Sequence, residues 1–200
     1  MRNLKRIIWL QSIFSEEQVK NAPAVSPAAN LWQYRFIESL TKLQTKIISV
    51  GHNFEPAFPK GQFFVKTIKK NLVSNIENKS LSYINLPYFR DLYLARRYYN
   101  YLKNFSFNRG DVILTYNDSF ISSVALKIKN EFNIPWISII ADLKAPNKAS
   151  GYVYLNSQYY KKNKNIKKKI YIDGGVNLSS SNFLINNKKK KKIVLYAGTI

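Results

Sequence analysis

Asp111-Val112-Ile113-Leu114-Thr115-Tyr116, then Asn117-Asp118, then Ser119–Phe132, then Trp136-Ile137-Ser138-Ile139-Ile140-Ala141 is the passage that decides the fold. Its two ends are short, nearly continuous apolar runs. That is the pattern of strands buried on both faces, not of strands with one wet side. The segment between them reads as a helix capped by Asp118 or Ser119. A strand, a helix and a strand in this order predict a parallel pair joined by a right-handed crossover.

The same alternation extends outward. Upstream, Arg6–Leu10 and Lys46–Gly51 read as strands, and Leu81–Leu86, ended by Pro87, as a third. Ser26–Leu43 carries Leu31, Tyr34, Ile37, Leu40 and Leu43 at three-residue steps, the spacing of an amphipathic helix. Ser26 followed by Pro27 gives it an N-cap and a proline at the first helical position. Tyr88–Phe105 is another helix, rich in Tyr, Leu and Arg. Downstream, Gly151–Leu155 and Ile170–Ile172 read as short strands. The fold class expected is α/β: a Rossmann-like parallel sheet with helices on both faces.

The register then changes. Asn177–Asn187 is polar, Lys188–Lys192 is a lysine run, and Ile193-Val194-Leu195-Tyr196-Ala197 begins a fresh strand. A lone strand cannot stabilise itself. Either it joins the preceding sheet or it opens a further domain; the organisation expected is a domain over residues 1–176, a linker over 177–191, and over 192–200 the first strand of that further domain.

Composition narrows the function classes. At 46% hydrophobic and 14% aromatic residues the chain is globular rather than disordered. It has no cysteine, which excludes disulfides, thiolate metal sites and a cysteine nucleophile and is compatible with a reducing cytoplasm. One histidine and no cysteine make a structural zinc site implausible, and no metal is expected. The opening Met1-Arg2-Asn3-Leu4-Lys5-Arg6 before Ile7-Ile8-Trp9-Leu10 imitates a signal peptide, but Gln11 and then Glu16-Glu17 cut the apolar run short. No run approaches the roughly 20 apolar residues needed to span a bilayer.

The net charge of +21 suits nucleic acid, anionic lipid or acidic substrates. Eleven lysines and one acid, Asp173, lie between Lys161 and Ile200. Abundant Asn, Ile, Tyr and Phe beside Lys is also what an AT-biased coding sequence produces without any ligand. Basic and aromatic residues interleave at Tyr88–Tyr101 and Tyr159–Lys169, a pattern shared by single-stranded nucleic-acid binders and by solvated faces. Dinucleotide Gly-x-Gly-x-x-Gly, phosphate-loop Gly-Lys-Ser/Thr and Gly-x-Ser-x-Gly motifs are all absent.

Open parallel sheets bind ligands beyond the carboxyl ends of their strands, so polar residues there are the candidates. Ser26, Ala28, Ala29 and Asn30 open a helix whose free amides could hold a phosphate, or form a plain cap. His52, the only histidine, and Asn53 follow the second strand; His52 is either a packing residue or a contact for a sugar hydroxyl. Asn117 and Asp118 follow Tyr116, and Asp142 follows Ala141. Each carboxylate can accept a hydrogen bond from an acceptor hydroxyl, act as general base, or cap the next segment.

Tyr171-Ile172-Asp173-Gly174-Gly175-Val176-Asn177, a polar linker, lysines, and then Ile193-Val194-Leu195-Tyr196-Ala197-Gly198-Thr199-Ile200 resemble the interdomain crossing of retaining GT-B glycosyltransferases of the group 1 (family four) type. Gly151–Ser157 and Ile139–Asp142 resemble that family's last two acceptor-side strands. The resemblance covers the whole chain and rests on the order and spacing of these motifs. It departs from the family in having Ala28-Ala29 where many relatives have Gly-Gly, Asn177 where Asp is usual, and only a short segment between Asp142 and Gly151.

The resemblance implies the N-terminal, acceptor-side half of a GT-B fold with the second domain cut off. Transfer would run from a nucleotide sugar, as donor substrate and not cofactor, to a cell-envelope glycan or lipid-linked acceptor, with retained configuration. Ser26, Ala28, Ala29 and Asn30 would approach the donor phosphates; His52, Asn117, Asp118 and Asp142 would face the acceptor, with Asp142 and His52 as the catalytic candidates; Gly174 and Gly175 would make the crossing turn. The donor-binding acidic pair and phosphate clamp belong to that family's second domain, so these residues alone are not expected to transfer sugar. The chain would work in the cytoplasm, peripheral at the inner face of the membrane, where an anionic surface is a further partner. The alternatives are a non-catalytic Rossmann-like binding module and, with less support, a basic nucleic-acid-binding protein.

Overall fold

The computed structural model describes residues 4–20, 25–42, 45–67 and 76–172. Gly174, Gly175, the linker 177–191 and the strand expected over 192–200 lie outside the described residues. Nine strands and five helices follow in chain order among the described residues: β1 (Arg6–Leu10), α1 (Glu16–Lys20), α2 (Pro27–Thr41), β2 (Lys46–His52), β3 (Phe64–Val65), β4 (Ile76–Leu81), β5 (Tyr83–Ile84), α3 (Arg90–Lys103), β6 (Asp111–Tyr116), α4 (Ser119–Phe132), β7 (Trp136–Ile140), β8 (Gly151–Tyr154), α5 (Ser157–Lys162) and β9 (Lys169–Tyr171).

Seven strands form one parallel sheet in the order β4-β2-β1-β6-β7-β8-β9. This is a Rossmann-like α/β architecture. From β1 the chain steps outward to β2 and β4, then returns to the other side of β1 at β6. The direction of winding therefore reverses between β1 and β6, and such a reversal opens a crevice beyond the strands' carboxyl ends.

Strand alternation sorts the core into two layers. Ile7, Trp9, Ile47, Val112, Leu114 and Ile139 face α2 and pack with Trp32, Phe36 and Ile37. Trp32 stacks on Tyr116 with ring centroids 5.3 Å apart, which seats α2 over the β1–β6 junction. Ile8, Leu10, Ile48, Val50, Ile113 and Trp136 face the other way, toward Leu94, Tyr98 and Leu102 of α3 and Ile121, Val124 and Ile128 of α4. At the amino end of the sheet, Arg6 Nε donates to Asp111 Oδ1 at 3.0 Å and Arg6 Nη2 to Oδ2 at 2.5 Å.

One strand differs from the sequence expectation. The third strand of the sheet is Ile76–Leu81, not Leu81–Leu86. The residues after Leu81 turn away, and Tyr83–Ile84 pairs antiparallel with Phe64–Val65 in a separate two-stranded ribbon. Further on, β7 reaches its parallel neighbour β8 across residues 141–150 with no helix between them. Tyr152 ties this short crossing together: its hydroxyl donates to the Pro146 carbonyl at 2.8 Å and accepts from the Ala149 amide at 3.1 Å.

Candidate functional site

The crevice is built first by the loops after β1 and β2. A Cβ placed on Gly51 would lie 2.7 Å from both Cα and Oγ of Ser12, so glycine is what lets the two strand ends approach. Ser12 Oγ accepts from the His52 amide at 2.6 Å and donates to the His52 carbonyl. The imidazole so placed is 3% exposed, with Nδ1 2.9 Å from the Tyr98 hydroxyl. Phe54, Tyr83, Tyr98 and Phe120 surround it, the nearest ring centroid 4.7 Å away. Burial pushes the Tyr98 hydroxyl well above its ordinary pKa, and the nearby charge of Asp118 adds to the rise.

The second wall is the junction of β6 with β7. Asn117 sits in the left-handed region at φ 42°, one of the few side chains that tolerate it. Its Oδ1 accepts from the amides of Ala141, Asp142 and Leu143 at 3.2, 3.3 and 3.1 Å. Its Nδ2 donates to Asp142 Oδ1 at 2.5 Å, and Asp142 is otherwise exposed. Asp118 caps α4, its Oδ1 accepting from the Ile121 amide at 3.0 Å. Loss of solvent raises the Asp118 carboxyl pKa more than the Ile121 and Phe120 amides lower it.

Two adjoining cavities open between these walls. One, about 250 Å³, takes in His52, Tyr83, Arg90, Asn117 and Asp118; the other, about 400 Å³, takes in Asp118, Ser119, Ser122, Ser138, Ile140 and Lys144. Asn117, Asp118, Ser119 and Leu143 border both, so they are halves of one crevice. Ser138 is 2% exposed on β7 and borders the larger half, and among the described residues its hydroxyl makes no hydrogen bond. A buried hydroxyl facing an open cavity without a partner is a group left for a ligand or water.

The structure thus brings His52, Asn117 and Asp118 together on the crevice; Asp142 is hydrogen-bonded to Asn117 but borders neither half. Ser26, Ala28, Ala29 and Asn30 border neither half. Ser26 caps α2, its Oγ 3.4 Å from the Ala29 amide, while Ala28 is exposed. Asn30 is buried and clamps the loop after β1: its Oδ1 accepts from the Phe14 amide at 2.9 Å and its Nδ2 donates to the Phe14 carbonyl at 2.8 Å. Sequence reasoning missed Ser138, Ser122 and Tyr98; the one available signal for Ser138 was a hydroxyl residue inside an otherwise apolar strand.

What the fold and site define is a Rossmann-like α/β unit with an open crevice of mixed polar and apolar walls at its switch point. Compared with known protein families and with curated proteins, the chain matches none. Among the described residues, no helix is long and apolar enough to cross a membrane.

Proposed function

We propose that this crevice is the acceptor side of a sugar-transfer site, with a nucleotide sugar as donor and a cell-envelope glycan or lipid-linked saccharide as acceptor. The observation that carries the reading is the Ser138 hydroxyl, which makes no hydrogen bond among the described residues, beside Asp118, Ser119 and Ser122 and next to the apolar Ile140. Hydroxyls and a carboxyl around an apolar surface match a sugar ring, which presents hydroxyl edges and C–H faces. A phosphate suits the place less well. The start of α4, which would otherwise attract an anion, already holds its own Asp118 carboxyl. Donor phosphates would therefore be held elsewhere, on a facing lobe in the GT-B arrangement. Asp142, exposed and oriented by Asn117, is the group suited to accept a proton or a hydrogen bond from the acceptor hydroxyl. The reading puts the work at the inner face of a cell membrane.

Saturation-transfer NMR with a panel of methyl glycosides tests it. Binding of at least one glycoside, weakened several-fold by Ser138→Ala, is the expected result; indifference to every glycoside would remove the reading.

One observation favours a second reading, a non-catalytic binding module. His52, Asn117, Asp118 and Asn30 are all engaged in structural hydrogen bonds. Asp142→Ala separates the two: unchanged glycoside binding favours the module, a tenfold loss the transferase.

A further inference from the structure

Large apolar side chains gather on one flank of the crevice. Tyr88 is 99% exposed, Leu92 72% and Phe89 65%, and Phe58, Phe63 and Phe64 are each close to half exposed. They come from three segments that the sequence keeps apart and the fold joins. Asn85, wholly buried, is the joint: its Nδ2 donates to the carbonyls of Pro56 and Gln62 at 2.7 and 3.0 Å. Its own amide donates to the Phe63 carbonyl at 2.8 Å, and its carbonyl accepts from the Phe58 amide at 3.1 Å. The Phe58 and Phe63 rings meet edge to face at 5.6 Å. Phe64 pairs with Ile84 on the β3–β5 ribbon, which packs against α3, and Arg90 closes the set by donating to the Leu86 carbonyl from its amide and to the Glu55 carbonyl from its guanidinium. The rings therefore stand on a fixed base; they are not a loose loop.

An exposed apolar platform on an ordered base marks a binding surface. Charge decides what it binds. The exposed charged side chains among these segments are Lys60, Lys66, Arg96 and Arg97, with Asp91 the one exposed acid. Leu92 and Arg96 are one helical turn apart on α3, so the cationic rim continues the apolar face. Protruding aromatic rings in segments whose exposed charges are mostly Lys and Arg fit an anionic bilayer, where rings enter the headgroup layer and cations meet lipid phosphates.

We propose that Phe58, Phe63, Phe64, Tyr88, Phe89 and Leu92 form a docking face for an anionic lipid bilayer. The face lies beside Phe54, Glu55, Arg90 and Asp91, which border the smaller half of the crevice, so a docked protein presents that opening to the lipid surface. The inference gives the membrane part of the proposed function a definite surface and needs none of its sugar chemistry.

Flotation of the whole chain with vesicles of three parts phosphatidylcholine to one part phosphatidylglycerol tests it, against Tyr88→Ser/Phe89→Ser/Leu92→Ser. All three residues are exposed, and circular dichroism is the check that the variant folds. Wild type is expected to float with these vesicles and the triple variant to bind at least tenfold more weakly, with Lys60→Glu/Lys66→Glu also weakened. Wild type failing to float, or the triple variant floating as well as wild type and both releasing in 0.5 M salt (roughly a 4 Å screening length), would overturn the proposal; the second result would mean adhesion through net charge alone. Floating without glycoside binding would leave the docking face standing and count against the sugar-transfer reading.

Discussion

Asn117 holds Asp142. Its Nδ2 donates to the aspartate Oδ1 at 2.5 Å while its Oδ1 accepts the Asp142 amide at 3.3 Å, so one side chain fixes the carboxylate and the backbone that bears it. The grip needs the left-handed backbone at Asn117, which turns the amide toward the end of β7. Asn117→Gly should keep the backbone and lose the clamp, whereas Asn117→Ala loses both. The expected order of stability is wild type, then Gly, then Ala, with a loss of about 1–3 kcal/mol for the amide acceptor. Urea unfolding measures it; alanine proving as stable as wild type would show that the clamp contributes nothing.

Gly51→Ala should destabilise the carboxyl end of β2. The added Cβ meets Ser12 Cα at 2.7 Å, a backbone atom that no rotamer change can move aside. Adding Ser12→Ala should therefore fail to restore stability, although it clears Oγ. Thermal melts of the single and double variants check this, and full rescue by the second substitution would place the clash at the hydroxyl alone.

How far could the chain be read before its structure? The strands that read clearly are the ones buried on both faces. Val112–Leu114 are buried throughout, and Trp136–Ile140 are nearly so, which is why both runs are mostly apolar. The strand missed, Ile76–Leu81, lies at the sheet edge, where alternate side chains reach solvent and Glu77 pairs with Lys46 at 3.3 Å. Its polar composition resembles a loop, while the more apolar Leu81–Leu86 owes its character to the β3–β5 ribbon and its packing on α3. At the site, strand-end position alone located His52, Asn117, Asp118 and Asp142. What each does depended on loop register: that Asn117 caps three amides, in a conformation unusual for a side-chain-bearing residue, is written in geometry and not in residue type. Ser138 stood out only as a lone hydroxyl in an apolar run, which does not say what it faces until its neighbours are known.

The Arg6–Asp111 pair predicts an asymmetric response. Asp111 is wholly buried and also accepts from the Asn108 amide at 2.7 Å, while the guanidinium, its pKa raised chiefly by the hydrogen bond to Asp111, covers the carboxylate. Arg6→Ala leaves that charge uncompensated and should cost about 3–5 kcal/mol. Arg6→Met/Asp111→Leu, which removes both charges, should cost less than Arg6→Ala alone. Chemical denaturation of the two variants decides it, and equal losses would mean the pair itself is net stabilising.

Asp118 predicts a pH effect with a definite sign. Desolvation holds its folded pKa above the ordinary carboxylate value near 4, so the folded chain binds the proton more tightly than the unfolded chain. The stability this contributes is complete below the unfolded value and is lost as pH rises through the folded one. Asp118→Asn keeps a good N-cap for α4 and abolishes the titration. Melting temperatures from pH 4 to pH 7 should therefore show the variant gaining on wild type as pH rises; a parallel pair of curves would mean the carboxyl is not held above its ordinary value.

Ser138 joins the fold to the proposed chemistry. Ser138 is buried, and a hydroxyl that makes no hydrogen bond among the described residues contributes little to folding that a methyl could not. Ser138→Ala should therefore leave the protein as stable as wild type or slightly more so. If the cavity takes a saccharide whose hydroxyl completes the missing hydrogen bond, the same change should weaken glycoside binding by roughly 5- to 10-fold, about 1–1.4 kcal/mol at room temperature. Ser138→Thr serves as the counterpart, since it keeps the hydroxyl while adding a methyl on the cavity side. Isothermal calorimetry beside thermal melts reads both quantities on one sample. Loss of stability in Ser138→Ala would make the hydroxyl a structural group, and unchanged binding would empty the cavity of its proposed role.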